Sequence, residues 1–475
     1  MKKLFFLSII LTISNHIIQA QKVNDYTIDV HFFPKDAQMW GYPVSSKSFM
    51  RGSTRVEFSN QNIDTISFYL HGELKVDSIS SGQSVIKYKS EKVFYEYDYS
   101  NIGLKTTIDF PDEIHEKTLT IYYSGFMNPS RTRSLSDYMR INQTEGVFLR
   151  GHYYSPWFPI FQRPYEDDYE VNFKKITVKL PSKFKAVVTG KLLSETIEDE
   201  IYTAEWMPGK NKMSKIQCTA RPYEIISRDN ISVYYTNDRQ SGEKIIDNTL
   251  KLKKLFYSNL RSIQNDTSSL YIVEMPEYGN ISSQNVIGIS TNLYKNLSTD
   301  LHSRLTIAHE LVHPYVSIPV LKKNPFNALV VEGFPSFFHL YGLKKITKYN
   351  QDFDLKKYMK KVEKNYIKKK RTGEDGRGNL LPFEKPILKI SFSEIGLYKD
   401  VFILSDRVKL FLYHLWNEMG DIKYDKFLKE LFQLNSINYK KFETLVVKYA
   451  PNYKNSLYIW LNTIEYPKSL HIGEL

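Results

Sequence analysis

The chain holds a single cysteine, Cys218, in 475 residues. An internal disulfide is therefore excluded, as is a cysteine redox pair or a thiolate metal cluster. A chain this long buries a large core without covalent staples, so the lack of disulfides is compatible with export. Cys218 stands in the strand-like run Ser-Lys-Ile-Gln-Cys-Thr-Ala and reads as a small buried hydrophobe. Long apolar runs are missing beyond the N-terminal segment, which excludes a membrane-spanning helix there. No low-complexity tract and no repeat period occurs, so neither a disordered array nor a solenoid is expected. Acidic residues are the minority, 52 against 65 Lys and Arg, for a net charge of +13. No nucleic-acid motif accompanies that excess, which argues against a nucleic-acid partner and for contact with anionic surfaces such as lipid headgroups or polyanionic glycans. Much of the excess lies from Lys344 to Arg371, including Lys356-Lys357, Lys360-Lys361 and Lys368-Lys369-Lys370-Arg371. The usual meaning of such a run is a solvated helix face and loop.

What is present points to a globular protein, with 42% hydrophobic and 25% charged residues. Residues 1–20 form a signal peptide by pattern: Lys2 and Lys3, an apolar core from Leu4 to Ile13, and Ala20 before Gln21 as the cleavage site. The core is too short to span a bilayer, and no cysteine follows it to carry a lipid. The mature protein is expected to be exported and soluble, periplasmic or extracellular.

Residues 21–228 read as a β-rich domain. Asp25–His31, Thr54–Phe58, Thr118–Tyr123 and Lys175–Leu180 carry β-type alternation, and Gly, Pro, Asn and Ser clusters separate them. From Asn230 the pattern changes. Ile231–Tyr235, Ser269–Met275 and Val286–Ser290 read as strands and Glu243–Leu260 as a helix, with further helices to the end. Residues 229–475 are thus expected to form an α+β domain.

One segment of that domain carries chemistry. Thr306–Tyr315 reads Thr-Ile-Ala-His-Glu-Leu-Val-His-Pro-Tyr, a helix with His309 and His313 one turn apart on one face. Two neutral imidazoles so placed can hold one zinc ion. Glu310 is rotated about 100° from His309, which suits a general base acting on a water at the metal. Eighteen residues separate His313 from Glu332, which stands in Ala-Leu-Val-Val-Glu-Gly-Phe-Pro. Apolar neighbours make it look like a buried acid on a helix, and a metal is one way to satisfy such a group. Two histidines and one glutamate leave a fourth position open, the catalytic arrangement. A bare H-E-x-x-H arises by chance on the order of once per hundred chains of this length; the placed glutamate lowers that further. His302 and His339 fall at helical spacing from the ligands and read as ordinary surface or groove histidines.

With these motifs the sequence resembles the gluzincin aminopeptidases of the alanyl-aminopeptidase type, the family that also contains leukotriene-A hydrolase (peptidase family M-one). Their H-E-x-x-H, eighteen residues, E pattern stands here as His309–His313 and Glu332. The family's G-x-M-E-N substrate motif matches the stretch Ile281–Ile289, and Gly146–Leu149, Ser155–Pro159 and Trp460–Pro467 resemble other parts of it. The resemblance implies a saddle-like N-terminal antiparallel β-sheet domain followed by a thermolysin-like α+β peptidase domain. It implies one zinc ion on His309, His313 and Glu332, Glu310 as catalytic base, and Gln284 and Asn285 as substrate-binding residues. The expected activity is hydrolysis of peptide bonds, with aminopeptidase action implied by the resemblance alone.

Three departures bear on that activity. Gln284 stands where the family has the glutamate that grips a free amino group, so a charge-assisted hydrogen bond is lost. The family's Y-x-K-G tyrosine, which stabilises the oxyanion, falls on Ser405-Asp406-Arg407-Val408; Tyr398 can serve only if the alignment slips by two turns. Pro314 should kink or end the zinc helix just past His313. The alternative reading is therefore a catalytically weak zinc-binding surface or binding protein derived from the same fold.

Overall fold

The computed structural model describes residues 23–35, 48–59, 65–95, 98–109, 118–127, 139–144, 146–150, 156–161, 170–259, 269–275, 281–282, 285–296, 301–313, 324–326, 329–345, 353–373, 384–390, 398–434 and 436–467. The segment expected to be a signal peptide lies outside them. The chain divides into two compact units, Met1–Tyr223 and Glu224–Leu475. Its class is α+β, with a β-rich first unit and a mixed, largely helical second. No described helix is long and apolar enough to cross a membrane.

Alternation builds the first unit. In Val23–Phe33 the residues Tyr26, Ile28, Val30 and Phe32 are buried and those between them are partly exposed, as a two-residue period demands. This strand lies in a nine-stranded sheet with Ser48–Phe58, Thr118–Met127 and Glu170–Pro181, which contain the other strands expected from sequence. Val23–Phe33 pairs antiparallel with Ser48–Phe58 but parallel with Glu170–Pro181. That parallel pair joins segments far apart in the chain, which local alternation cannot announce. Thr65–His71 belongs to a smaller three-stranded sheet. Trp157 and Phe158 are fully buried, and Phe158 stands edge-on to Tyr26 at 6.0 Å. That part of the family-like Ser155–Pro159 run is therefore core packing.

The second unit opens on the hairpin Glu224–Arg228 and Ile231–Tyr235, so 224–228, assigned by sequence to the preceding β-rich part, pair into this unit's sheet. Its five strands run in the order Glu224–Arg228, Ile231–Tyr235, Leu270–Met275, Val286–Ser290, Ile281–Ser282. The three central strands are mutually parallel. Leu270–Met275 and Val286–Ser290 are buried throughout, as parallel strands covered on both faces must be. Glu274 is an acid inside this layer. It is satisfied by Thr236 N at 2.7 Å, Thr236 Oγ1 at 2.8 Å and Thr291 Oγ1 at 2.9 Å.

Eight helices are described in this unit: α1 (Arg239–Asn259), α2 (Thr291–Lys295), α3 (Leu301–Val312), α4 (Phe334–Lys345), α5 (Leu355–Thr372), α6 (Tyr398–Leu431), α7 (Tyr439–Tyr449) and α8 (Lys454–Asn462). One apolar cluster, from Ile231 to Leu461, runs through them. Helix α6 is broken at Gly420, whose φ of 70° and ψ of 166° suit glycine, which has no Cβ to clash. Arg407 of α6 is fully buried. Its guanidinium donates to the carbonyls of Ile459, Trp460, Thr463, Ile464 and Glu465, to Tyr366 Oη, and to Glu384 Oε1 at 3.1 Å. Carbonyls at a helix end have no partner within the helix. Arg407 supplies one for the end of α8 and the residues after it.

Candidate metal centre

Helix α3 presents the two histidines. Ser303, Leu305, Ile307, Ala308, Leu311 and Val312 are its buried residues, and they hold the helix with His309, Glu310 and His313 half-buried. The expected span of Thr306–Tyr315 is corrected at its start: the described helix runs Leu301–Val312, with His313 in a tighter turn directly after it. A residue preceding proline is disfavoured in the helical region, and Pro314 follows His313. Pro314 itself lies outside the described residues.

Glu332 arrives from a second direction. Leu329–Gly333 is a π-helical turn leading into α4, a local widening that recurs at functional sites. The acid is not buried as the sequence suggests: the turn leaves its side chain 29% exposed. At Gly333 α6 approaches closely: a Cβ there would stand 3.0 Å from Val408 Cγ1 and 3.1 Å from Leu329 Cδ1, so these side chains would have to give by a few tenths of an ångström. Ser336 Oγ donates to the Glu332 carbonyl at 2.7 Å and lies 3.1 Å from Ser405 Oγ. These contacts fix the turn to both α4 and α6. Pro335 is the second residue of α4, directly after the π-helical turn.

The three ligand atoms converge. His309 Nε2 and His313 Nε2 are 3.1 Å apart, and Glu332 Oε2 is 3.8 Å from the first and 4.0 Å from the second. The centre of a triangle with those sides lies about 2.1 Å from each corner, a zinc–imidazole bond length. The donor set and its spacing therefore fit a zinc-sized cation. His309, His313 and Glu332 are the metal-type cluster found among the described residues.

Electrostatics couples the group. Desolvation would lower the His309 pKa, but the Glu332 carboxylate and the Glu310 charge outweigh it and hold it above the ordinary 6.5. A metal at this site competes with that proton. His339 of α4 is a different case. Burial pushes its pKa well below 6.5, and neighbouring His309, Lys409 and His313 add to the effect. Its Nδ1–H donates to the Pro335 carbonyl at 2.8 Å, and its ring stands edge-on to His309 with centroids 5.3 Å apart. His339, expected to be an ordinary surface or groove histidine, is a buried neutral wall of the centre. His302 is exposed on α3.

Lys409 had no signal of its own in the sequence. It lies one turn after Ser405 on the side of α6 that meets Ser336 and Gly333, is 15% exposed, and reaches Asp406 only at 3.7 Å. Its charge is felt at both His309 and His339.

The remaining expected site residues are placed unevenly. Gln284 lies outside the described residues. Asn285 precedes the strand Val286–Ser290; its Nδ2 donates to the Ser269 carbonyl at 3.0 Å, and its own carbonyl accepts from Tyr271 N at 2.8 Å. Its amide thus ties two strand ends together. Tyr398 is the first residue of α6, and its side chain lies outside the described set.

No protein family and no curated protein matches the chain by sequence. Solved structures do match by fold. An M1 zinc metallopeptidase mutant from Deinococcus radiodurans, bound to a Tyr-Ser-Ala substrate, superposes with a TM-score of 0.61 at 12% identity, covering 95% of this chain and 96% of that one. The structure titled M1 zinc metallopeptidase from Deinococcus radiodurans gives 0.58 at 13% identity over 95% and 96%. A two-domain M1 zinc metallopeptidase mutant bound to L-arginine gives 0.61 at 13% identity over 94% and 96%. The likeness is one of fold, and it extends over nearly the whole chain.

Proposed function

We propose that the chain is an exported zinc metallopeptidase that hydrolyses peptide bonds, with aminopeptidase action implied by the family resemblance. The observation that carries the reading is the three-atom cage of His309, His313 and Glu332 beside Glu310, on a fold otherwise seen in M1 zinc metallopeptidases. Zinc bound there would polarise the scissile carbonyl and acidify a water. Glu310 takes one proton from the attacking water as its oxygen bonds to the carbonyl carbon. When the C–N bond breaks, Glu310 returns that proton to the leaving amine. His339 stays neutral against His309 and adds no competing charge. By the family resemblance, Gln284 and Asn285 are the residues given to the substrate's N-terminal end.

One observation favours the second reading, a zinc-binding module with weak turnover. Ser405 occupies the place of the family's tyrosine, and its hydroxyl is engaged with Ser336. Arg407 two residues on is committed to the end of α8.

A peptide library with free and acetylated N-termini separates these readings. The peptidase reading expects zinc-dependent cleavage with preference for free N-termini. Zinc-loaded protein that cuts no peptide would leave the binding module in its place.

A further inference from the structure

The basic run divides into two populations once it is folded. Lys344 Nζ lies 3.9 Å above the Trp416 ring, and Lys345 pairs with Asp425 at 3.3 Å. Lys369 pairs with Asp406 at 2.7 Å and Lys370 with Glu384 at 2.9 Å. These cations are used in packing the second unit. The others are not. Lys357, Lys360, Lys361, Lys364, Lys368 and Arg371 are all exposed. Among the described residues none of the six has an ion pair or a side-chain hydrogen bond.

Their placement is ordered. With about 100° per residue, Lys360, Arg371, Lys364, Lys357, Lys368 and Lys361 succeed one another at steps of about 20°, filling an arc of about 100°. No other residue of Leu355–Thr372 falls inside that arc. From Lys357 to Arg371 it extends about 21 Å along the axis. The opposite face is held by buried Leu355, Met359, Val362 and Tyr366, and buried Glu363 accepts from Tyr466 Oη at 2.6 Å. The helix cannot roll, so the cations are fixed outward. Like charges three and four residues apart weaken a helix, and solvation alone is served as well by mixed signs.

The shape of the stripe selects its partner. It is the outer face of a single helix with no aromatic side chain in the arc, which lacks the stacking platform a single-stranded nucleic acid uses. Five of the six cations are lysines, compact point charges that read charge density and not a bidentate geometry. The apolar face of α5 is occupied inside the unit, so it cannot insert into lipid. Ile367, 39% exposed, is the apolar side chain at the margin of the arc. A flat sheet of fixed negative charge suits such a surface. We infer that the outer face of α5 docks the protein peripherally on an anionic phospholipid bilayer. Contact is electrostatic and reversible by salt, and it does not depend on the peptidase reading.

Flotation of the full chain with vesicles tests this, using phosphatidylcholine alone and phosphatidylcholine mixed with phosphatidylglycerol. Binding is expected to the mixed vesicles only, and to vanish between about 0.05 and about 0.5 M salt as screening shortens. The K360E/K364E/K368E variant should bind roughly a hundredfold more weakly. K360Q/K364Q/K368Q should be intermediate, with unchanged peptide hydrolysis and no loss of melting temperature for both. The inference is overturned if mixed vesicles are not bound at low salt, or if K360E/K364E/K368E binds like the wild type. It is also overturned if soluble dextran sulfate is bound while vesicles are not, which would make α5 a reader of polymers.

Discussion

His313 Nε2 lies 3.1 Å from His309 Nε2, with one oxygen of Glu332 within 4.0 Å of both. The same carboxylate that completes the ligand set also holds a proton on His309, whose pKa is raised above 6.5 without metal. Zinc needs the neutral imidazole. Affinity should therefore weaken as pH falls through that raised pKa and level off above it. Calorimetric titration of metal-free protein at about pH 6 and about pH 8.5, in buffers of different ionisation enthalpy, checks this. Proton release on binding should be larger at the lower pH. Equal affinity and equal proton release at both would contradict it.

Gly333 sets the distance between the Glu332 turn and α6. In Gly333→Ala the new Cβ meets Val408 at 3.0 Å and Leu329 at 3.1 Å. Overpacking of this kind costs about 1–3 kcal/mol. Because the strained residue is next to Glu332, zinc affinity should fall along with stability. Restoring room with Val408→Ala in the same chain should recover part of both. A Gly333→Ala protein with wild-type zinc affinity would separate the packing from the ligand's placement.

Arg407 is a structural residue in a position that the family resemblance assigns to a lysine. Replacing it by Met removes the donor to five carbonyls around the end of α8 and one of the two cations on Glu384, which keeps Lys370. Breaking a buried charge pair costs about 3–5 kcal/mol. Urea denaturation of Arg407→Met should show a loss of that size. A loss under about 1 kcal/mol would mean that solvent or a neighbour replaces the guanidinium without difficulty.

His71, in the first unit, makes that unit acid-sensitive. Burial of its ring pushes its pKa from 6.5 down to about 4, and its Nδ1 accepts from Glu73 N at 3.2 Å. Between those values the unfolded chain binds a proton that the folded chain refuses, and stability rises with pH there. The His71 contribution is complete above about pH 6.5, is lost as pH falls toward about 4, and declines no further below. His71→Gln should flatten the urea midpoint across this window. An unchanged slope would place the sensitivity elsewhere.

The zinc-type triad was legible because its chemistry rests on residue types at fixed spacing, and a helix turns that spacing into a shared face. The β-alternation around Tyr26 was legible for the same reason, since a period needs only neighbours, and Val286–Ser290 was legible as a short apolar run. What stayed hidden involves partners far apart in sequence. Nothing local reveals that Val408 presses on Gly333, or that Arg407 completes residues 459–465. Nor does it reveal that Glu170–Pro181 lies parallel to Val23–Phe33. The π-helical turn before α4 has no composition signal, so Glu332 looked buried when it is accessible. The basic run looked uniform until packing separated the paired cations from the exposed arc.

Glu310 is where the account is most exposed to a single measurement. Wild type and Glu310→Gln should each bind one zinc per chain, because Glu310 is not among the three converging ligands. The wild type should cleave peptides, and kcat of the variant should fall about 10²–10⁴-fold, the usual contribution of a general base. Equal cleavage by both proteins, or zinc that stays bound after His309 and His313 are both replaced by alanine, would contradict the account.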